Sequence, residues 1–152
     1  MQPDKLTVKT REALGTASDL ARRAHHAEVT PLHLFKALIE QEGGIIPLII
    51  ESLGAPPAKL AEAVEGEVRK LPTVEGGDRH FSRELTRLIE DSMGHMERLG
   101  DRFLSTEHLL LAAPSDRSGA MSGICRRLGI SAAGVEAAMK RVRGEGPVES
   151  ED

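Results

Sequence analysis

A chain of 152 residues, 39% hydrophobic and 29% charged, is long enough to bury one core and has the balance of a soluble globular domain. Its single cysteine, Cys125, excludes a disulfide framework, and the lack of an 18-residue apolar run excludes a membrane-spanning helix. A formal net charge of -4 without a long basic stripe, and only three aromatic residues (Phe35, Phe81 and Phe103), argue against a nucleic-acid partner. The opening "MQPDKLTVKT" has no apolar signal core, so no secretion signal is expected, and the lone thiol fits a cytoplasmic location.

Helical periodicity dominates, and no stretch alternates like a strand. Thr7 is a suitable N-cap, followed by Ala13, Leu14, Ala17, Leu20, Ala21 and Ala24 at helical spacing. Thr30 caps a second helix, with Pro31 in its first turn, an apolar face of Leu34, Ala37 and Leu38, and Gly43–Gly44 to stop it. Pro47 opens a short third helix that ends before Gly54, and Leu60, Ala63, Val64, Val68 and Leu71 mark a fourth. The stretch "PTVEGGDRH", residues 72–80, breaks the pattern; its Gly, Pro and charged residues predict a mobile connector.

After the connector the pattern restarts. Ser82 takes the place of Thr7, and Leu85, Leu88, Ile89, Ser92, Met96 and Leu99 line a long helix. Ser105 takes the place of Thr30: "TPLHLFKAL" in one half becomes "STEHLLLAA" in the other, each with a histidine three residues after the hydroxyl. Gly119 matches Gly44, Ile124 matches Ile49, Gly129 matches Gly54 and Ala138 matches Ala63, at a constant offset of 75 residues without a gap. The chain is therefore read as a duplication of a four-helix unit. Neither copy can hide its apolar side alone, which predicts an all-α, pseudo-twofold bundle of about eight helices. The expected bounds are a domain over 1–144, with repeat one at about 6–71, the connector at 72–80 and repeat two at about 81–144. A Gly-, Pro- and acid-rich flexible tail or linker start follows over 145–152. Pro114 stands where the first copy continues its second helix, so the matching helix should end a turn early.

The six histidines do not form a metal motif. No H-E-x-x-H pair occurs, and Cys125, flanked by Ile124 and Leu128, reads as a buried thiol without a partner. His33 and His108 occupy the third helical position after their caps, where a ring nitrogen can bond locally while the ring packs between the copies. No G-x-S-x-G elbow supports a serine hydrolase, and no G-x-x-x-x-G-K-[ST] loop is present to cradle a nucleotide. Neither a catalytic group nor a cofactor is expected; a binding surface remains.

The phrases "VTPLHLFKALIEQEGG", "LPTVEGGDRHFSREL" and "GDRFLSTEHLLLAA" resemble the paired repeats of the Clp N-terminal domain, over about Leu6 to Gly144. "LTVKTREAL", "QEGG" and "LPTVEG" resemble the branch carried by ClpB-type disaggregases. The resemblance implies a non-catalytic domain that works with ATPase modules outside these residues. Its implied partners are unfolded or aggregated client proteins, whose exposed apolar segments it captures weakly in an apolar groove, and adaptor proteins; a free-standing adaptor that docks on a separate chaperone or protease is the alternative reading. It also implies substrate-binding roles for Thr7, Asp101 and Glu107 at the rim of such a groove, with Val8 and Ile89 as apolar walls. Each has a structural reading as well: Thr7 as a cap, Asp101 as a turn residue after Gly100, Glu107 as a first-turn acid favoured by the helix dipole, and Val8 and Ile89 as core. His95 stands where the family often has leucine, which would make the groove more polar.

Overall fold

The computed structural model describes residues 5–144 and Glu151. In chain order the elements are α1 (Val8–Arg23), β1 (Glu28–Val29), α2 (Pro31–Glu40), α3 (Ile46–Leu53), α4 (Pro57–Val68), β2 (His80–Phe81), α5 (Arg83–Arg98), α6 (Thr106–Ala112), α7 (Ala120–Leu128) and α8 (Ala132–Arg143). Of the expected tail, 145–152, only Glu151 lies within the described residues.

Hydroxyl caps set the helix starts in both copies. The Oγ1 of Thr7 accepts the N–H of Thr10 at 3.2 Å, and the Oγ of Ser82 accepts that of Leu85 at 3.1 Å. α6 is 7 residues long against 10 for α2 and closes before Pro114, whose missing N–H and bulky ring end it early. The short helices α3 and α7 both stop at a glycine in the left-handed region, Gly54 at φ 98° and Gly129 at φ 72°. A further shared turn is less tolerant of its sequence. Gly100 sits at φ 74°, and at the matching place the first copy holds His25 at φ 60°, a conformation unusual for a residue with a Cβ.

The copies are joined by exchange. Thr7 donates its N–H to the carbonyl of Leu104 at 3.0 Å, and Leu104 donates to that of Lys5 at 2.7 Å, so residues before α1 pair with residues before α6. The matching pair runs the other way: β1 lies parallel to β2, Val29 opposite Phe81, and Ser82 donates to Val29 at 2.9 Å. Strands of two residues are too short to show alternation, which is why the sequence reads as helical throughout. The helices follow the same rule. α1 and α4 pack on α2, and α5 on α6, within a copy, while α3 packs on α8 and α4 also meets α7 across copies.

The shared core is aliphatic, with Leu34, Leu38, Ile46, Ile49, Ile50, Leu85, Leu88, Leu109 and Leu110 inaccessible beside Phe35. Burial of each such side chain contributes about 1.5–3 kcal/mol. The connector is anchored at both ends: Thr73 bridges to His26, Val74 donates to the carbonyl of His25 at 2.7 Å, and His80–Phe81 form β2.

Candidate functional site

The repeated histidines are structural in both copies. Thr30 donates its backbone N–H to the Nδ1 of His33 at 3.0 Å, and Ser105 donates to that of His108 at 2.9 Å. A ring nitrogen at the third helical position thus does the work of the glutamate in a capping box. With Nδ1 accepting, each ring carries its proton on Nε2 and stays neutral. Burial, with His26 beside it, pushes His33 down to about 4, and burial also holds His108 below its usual value against the opposing pull of Asp101.

What each Nε2 proton meets differs between the copies. In the first, His33 donates to the Nδ1 of His26 at 2.8 Å. In the second, His108 donates to the Oδ2 of Asp101 at 2.6 Å. Asp101 and His108 have side chains with no accessible surface, and a guanidinium completes the cluster: Arg143, the last residue of α8, reaches Oδ2 of Asp101 at 3.0 Å and Oε2 of Glu107 at 3.1 Å. Arg143 is 12% accessible, and its Nε finds no hydrogen-bond partner among the described residues. Three elements, the turn after α5, the first turn of α6 and the end of α8, are clasped together by charge. Neither the order of helices nor their periodicity announces Arg143. The legible signal is that the copies break their match here, since His26, Leu32 and Val68 stand at the places of Asp101, Glu107 and Arg143.

Thr7 and Val8 lie on an adjoining part of the seam. Thr7 is buried, and its hydroxyl lies 2.8 Å from that of Thr10, which donates to the carbonyl of Leu104 at 2.9 Å. Val8 and Phe103, each next in sequence to a residue of this ladder, are half-buried apolar residues. Ile89 is buried on α5 among the core residues. The expectation of a groove rim thus meets two acids enclosed by Arg143, with Val8 half-buried and Ile89 buried.

A cleft of about 490 Å³ lies elsewhere, lined by Lys36, Ile39, Glu40, Glu62, Glu65 and Arg69. Its walls are tied by ion pairs, Lys36 to Glu65 at 2.8 Å and to Glu40 at 3.2 Å, so it is a solvated charge network and a poor receptor for an apolar segment. Cys125 is enclosed, and burial pushes its thiol up to about 12, far from a reactive range. Among the described residues no helix is long and apolar enough to cross a membrane, and no group of three His, Cys, Asp or Glu residues could hold a metal ion.

Comparison with known proteins agrees with this architecture. The profile of the Clp repeat (R) N-terminal domain matches residues 5–150. The chaperone protein ClpB of Dichelobacter nodosus is 36% identical over 142 residues, covering 92% of this chain and 16% of that protein. The crystal structure of the Hsp104 N-terminal domain from Candida albicans superposes with a TM-score of 0.84, covering 97% of both chains at 16% identity. A ClpV N-domain solved in complex with a VipB peptide superposes with a TM-score of 0.75, covering 98% of this chain and 91% of that one at 19% identity. The chain spans only 14–18% of the length of the curated relatives it matches.

Proposed function

Because the chain belongs to the Clp repeat N-terminal domain family, we propose that it is the client-binding module of a ClpB-type disaggregase, itself non-catalytic and working in the cytoplasm. It captures exposed apolar segments of unfolded proteins at the seam between α1 and the stretch from Asp101 to Glu107. ATPase modules elsewhere in the protein would act on what it holds.

The observation that carries this reading is the unequal furnishing of two otherwise matched copies. Burying an ion cluster is seldom the most stabilising choice, since apolar groups of like volume serve as well or better. The first copy shows the apolar solution in place, Leu32 and Val68, and folds on the same plan. A charged clasp in the second copy alone points to a role beyond stability. Asp101 and Glu107 then act through Arg143 as positioning residues that hold Phe103 and Leu104 against Thr7 and Val8. The client's apolar side chains meet Val8 and Phe103, a small apolar surface suited to weak, sequence-tolerant capture. That a structural neighbour, the ClpV N-domain, is known in a peptide complex supports a peptide-binding reading of the fold.

Titration of the 15N-labelled chain with reduced, carboxymethylated lactalbumin tests this. Amide shifts should cluster at Thr7, Val8 and Leu104 to Glu107. Shifts confined to the charged cleft around Lys36 and Arg69 would reassign the site to the first copy.

A further inference from the structure

The seam is held by two residues at and after the end of α8. Arg143 occupies Asp101 and Glu107, and Glu151 occupies the start of α1. The carbonyl of Glu151 accepts the N–H of Val8 at 2.7 Å, and its carboxylate takes the Nη2 of Arg11 at 3.2 Å.

α1 is built to receive such a group. Val8 is its first residue, so its N–H has no partner inside the helix, and the cap hydroxyl of Thr7 serves Thr10 instead. Arg11, one turn on, fixes its Nη1 on the carbonyl of Leu6 at 2.7 Å, which aims Nη2 away from the helix. The result is a two-point grip: one N–H for a main-chain carbonyl and one guanidinium edge for a carboxylate. It reads a main-chain carbonyl and the acidic side chain of the same residue. The matching residues at the start of α5 are Arg83 and Thr86, so the second copy has no guanidinium at the corresponding place. The segment after α8 is rich in the right chemistry, with Glu145, Glu149, Glu151 and Asp152.

We propose that the start of α1 is a docking site for an acidic residue that follows α8 in the same chain, Glu151, in cis, and that clients must displace Glu151 to reach the seam. The displacement half rests on the client-binding reading above; the docking half does not. The ion pair is half exposed and weak by itself, with 39% of Arg11 and 53% of the Glu151 side chain accessible. Covalent connection makes it effective. Arg143 is held on Asp101 and Glu107 in the same chain as Glu151, so the contact is intramolecular and needs little intrinsic affinity. Such a contact holds the site in the absence of client and yields readily to one.

The test uses the whole chain and the substitution Glu151→Lys, which touches no core residue. The amide signals of Val8 and Arg11 should move, and affinity for reduced, carboxymethylated lactalbumin should rise about two- to fivefold, the fold-change that loss of one surface ion pair allows. The exchanged pair Arg11→Glu with Glu151→Arg should return both readouts toward wild type. Unmoved Val8 and Arg11 signals would overturn the docking. Signals that change on dilution would overturn docking in cis in favour of a second copy. Moved signals with unchanged client affinity would overturn the displacement. If lactalbumin binds neither protein while Val8 still moves, the docking stands and the client reading falls.

Discussion

His26, Leu32, His33 and Val68 in the first copy stand where Asp101, Glu107, His108 and Arg143 stand in the second. Both sets close the same turn: a buried histidine caps a helix by accepting at Nδ1 and donates its Nε2 proton seven residues back. The first copy meets that proton with another neutral ring and surrounds it with aliphatic groups. The second meets it with a carboxylate, adds a second carboxylate and neutralises both with Arg143. The difference separates what the fold requires from what it merely permits. A neutral, capped histidine is common to both copies, whereas the charged clasp is confined to the side that adjoins the start of α1.

The two copies differ at the greatest energetic cost at Arg143. Arg143→Val installs the first copy's residue but strands two enclosed carboxylates, and stability in urea melts should fall by about 3–5 kcal/mol. The triple replacement Asp101→His, Glu107→Leu, Arg143→Val imports the whole first-copy set and should recover most of that loss while abolishing client-induced shifts. A triple variant as unstable as the single one would show that the two places are not equivalent.

Acidification should strike the first copy harder. His33 is pushed down to about 4 from 6.5, so the unfolded chain takes up its proton first as pH falls, and stability present above about 6.5 is lost toward about 4. For a fully enclosed ring the loss is on the order of 3 kcal/mol. Urea melts across that window measure it. His33→Gln keeps an acceptor for the Thr30 N–H and should flatten the profile; a slope unchanged in that variant would place the titrating group elsewhere.

The caps should show near equality. Thr7→Ala and Ser82→Ala each remove one hydroxyl acceptor and should lower stability by about 1 kcal/mol, but only Thr7→Ala should also disturb the Leu104 amide. The smallest effect belongs to the exposed pair Arg98–Glu136, 2.7 Å apart, whose first-copy counterparts are Arg23 and Ala61. Arg98→Ala should lower stability by no more than about 1 kcal/mol, and molar salt should erase the difference.

Much of this was legible in the residues because it is local. Thr7, Thr30, Ser82 and Ser105 announce four helix starts, the constant offset announces the duplication, and Pro114 announces the shortened α6. What could not be read is long-range. The two ladders are too short to carry an alternating pattern, and Arg143 meets Asp101 from 42 residues away. An aspartate after a glycine reads as an exposed turn, and only the arrival of α8 encloses it. Ile89 shows the converse: its helical spacing marks an apolar face, and packing puts that face in the core.

The crossed ladders also order events in time. Residues 5–7 leave the ribosome long before their partner, since even Thr10 and Leu104 are separated by 94 residues. A nascent chain that ends in the connector can form the helices of the first copy, but neither ladder, and it lacks α8, the surface on which α3 packs. Closing so long a loop is slow beside local helix formation. The Thr7 amide should therefore be among the last to gain protection in pulse-labelled hydrogen exchange, although it is made well before Leu104. The beginning of this domain is completed from its far half, so a stalled or truncated chain exposes the start of α1 as an unfinished edge.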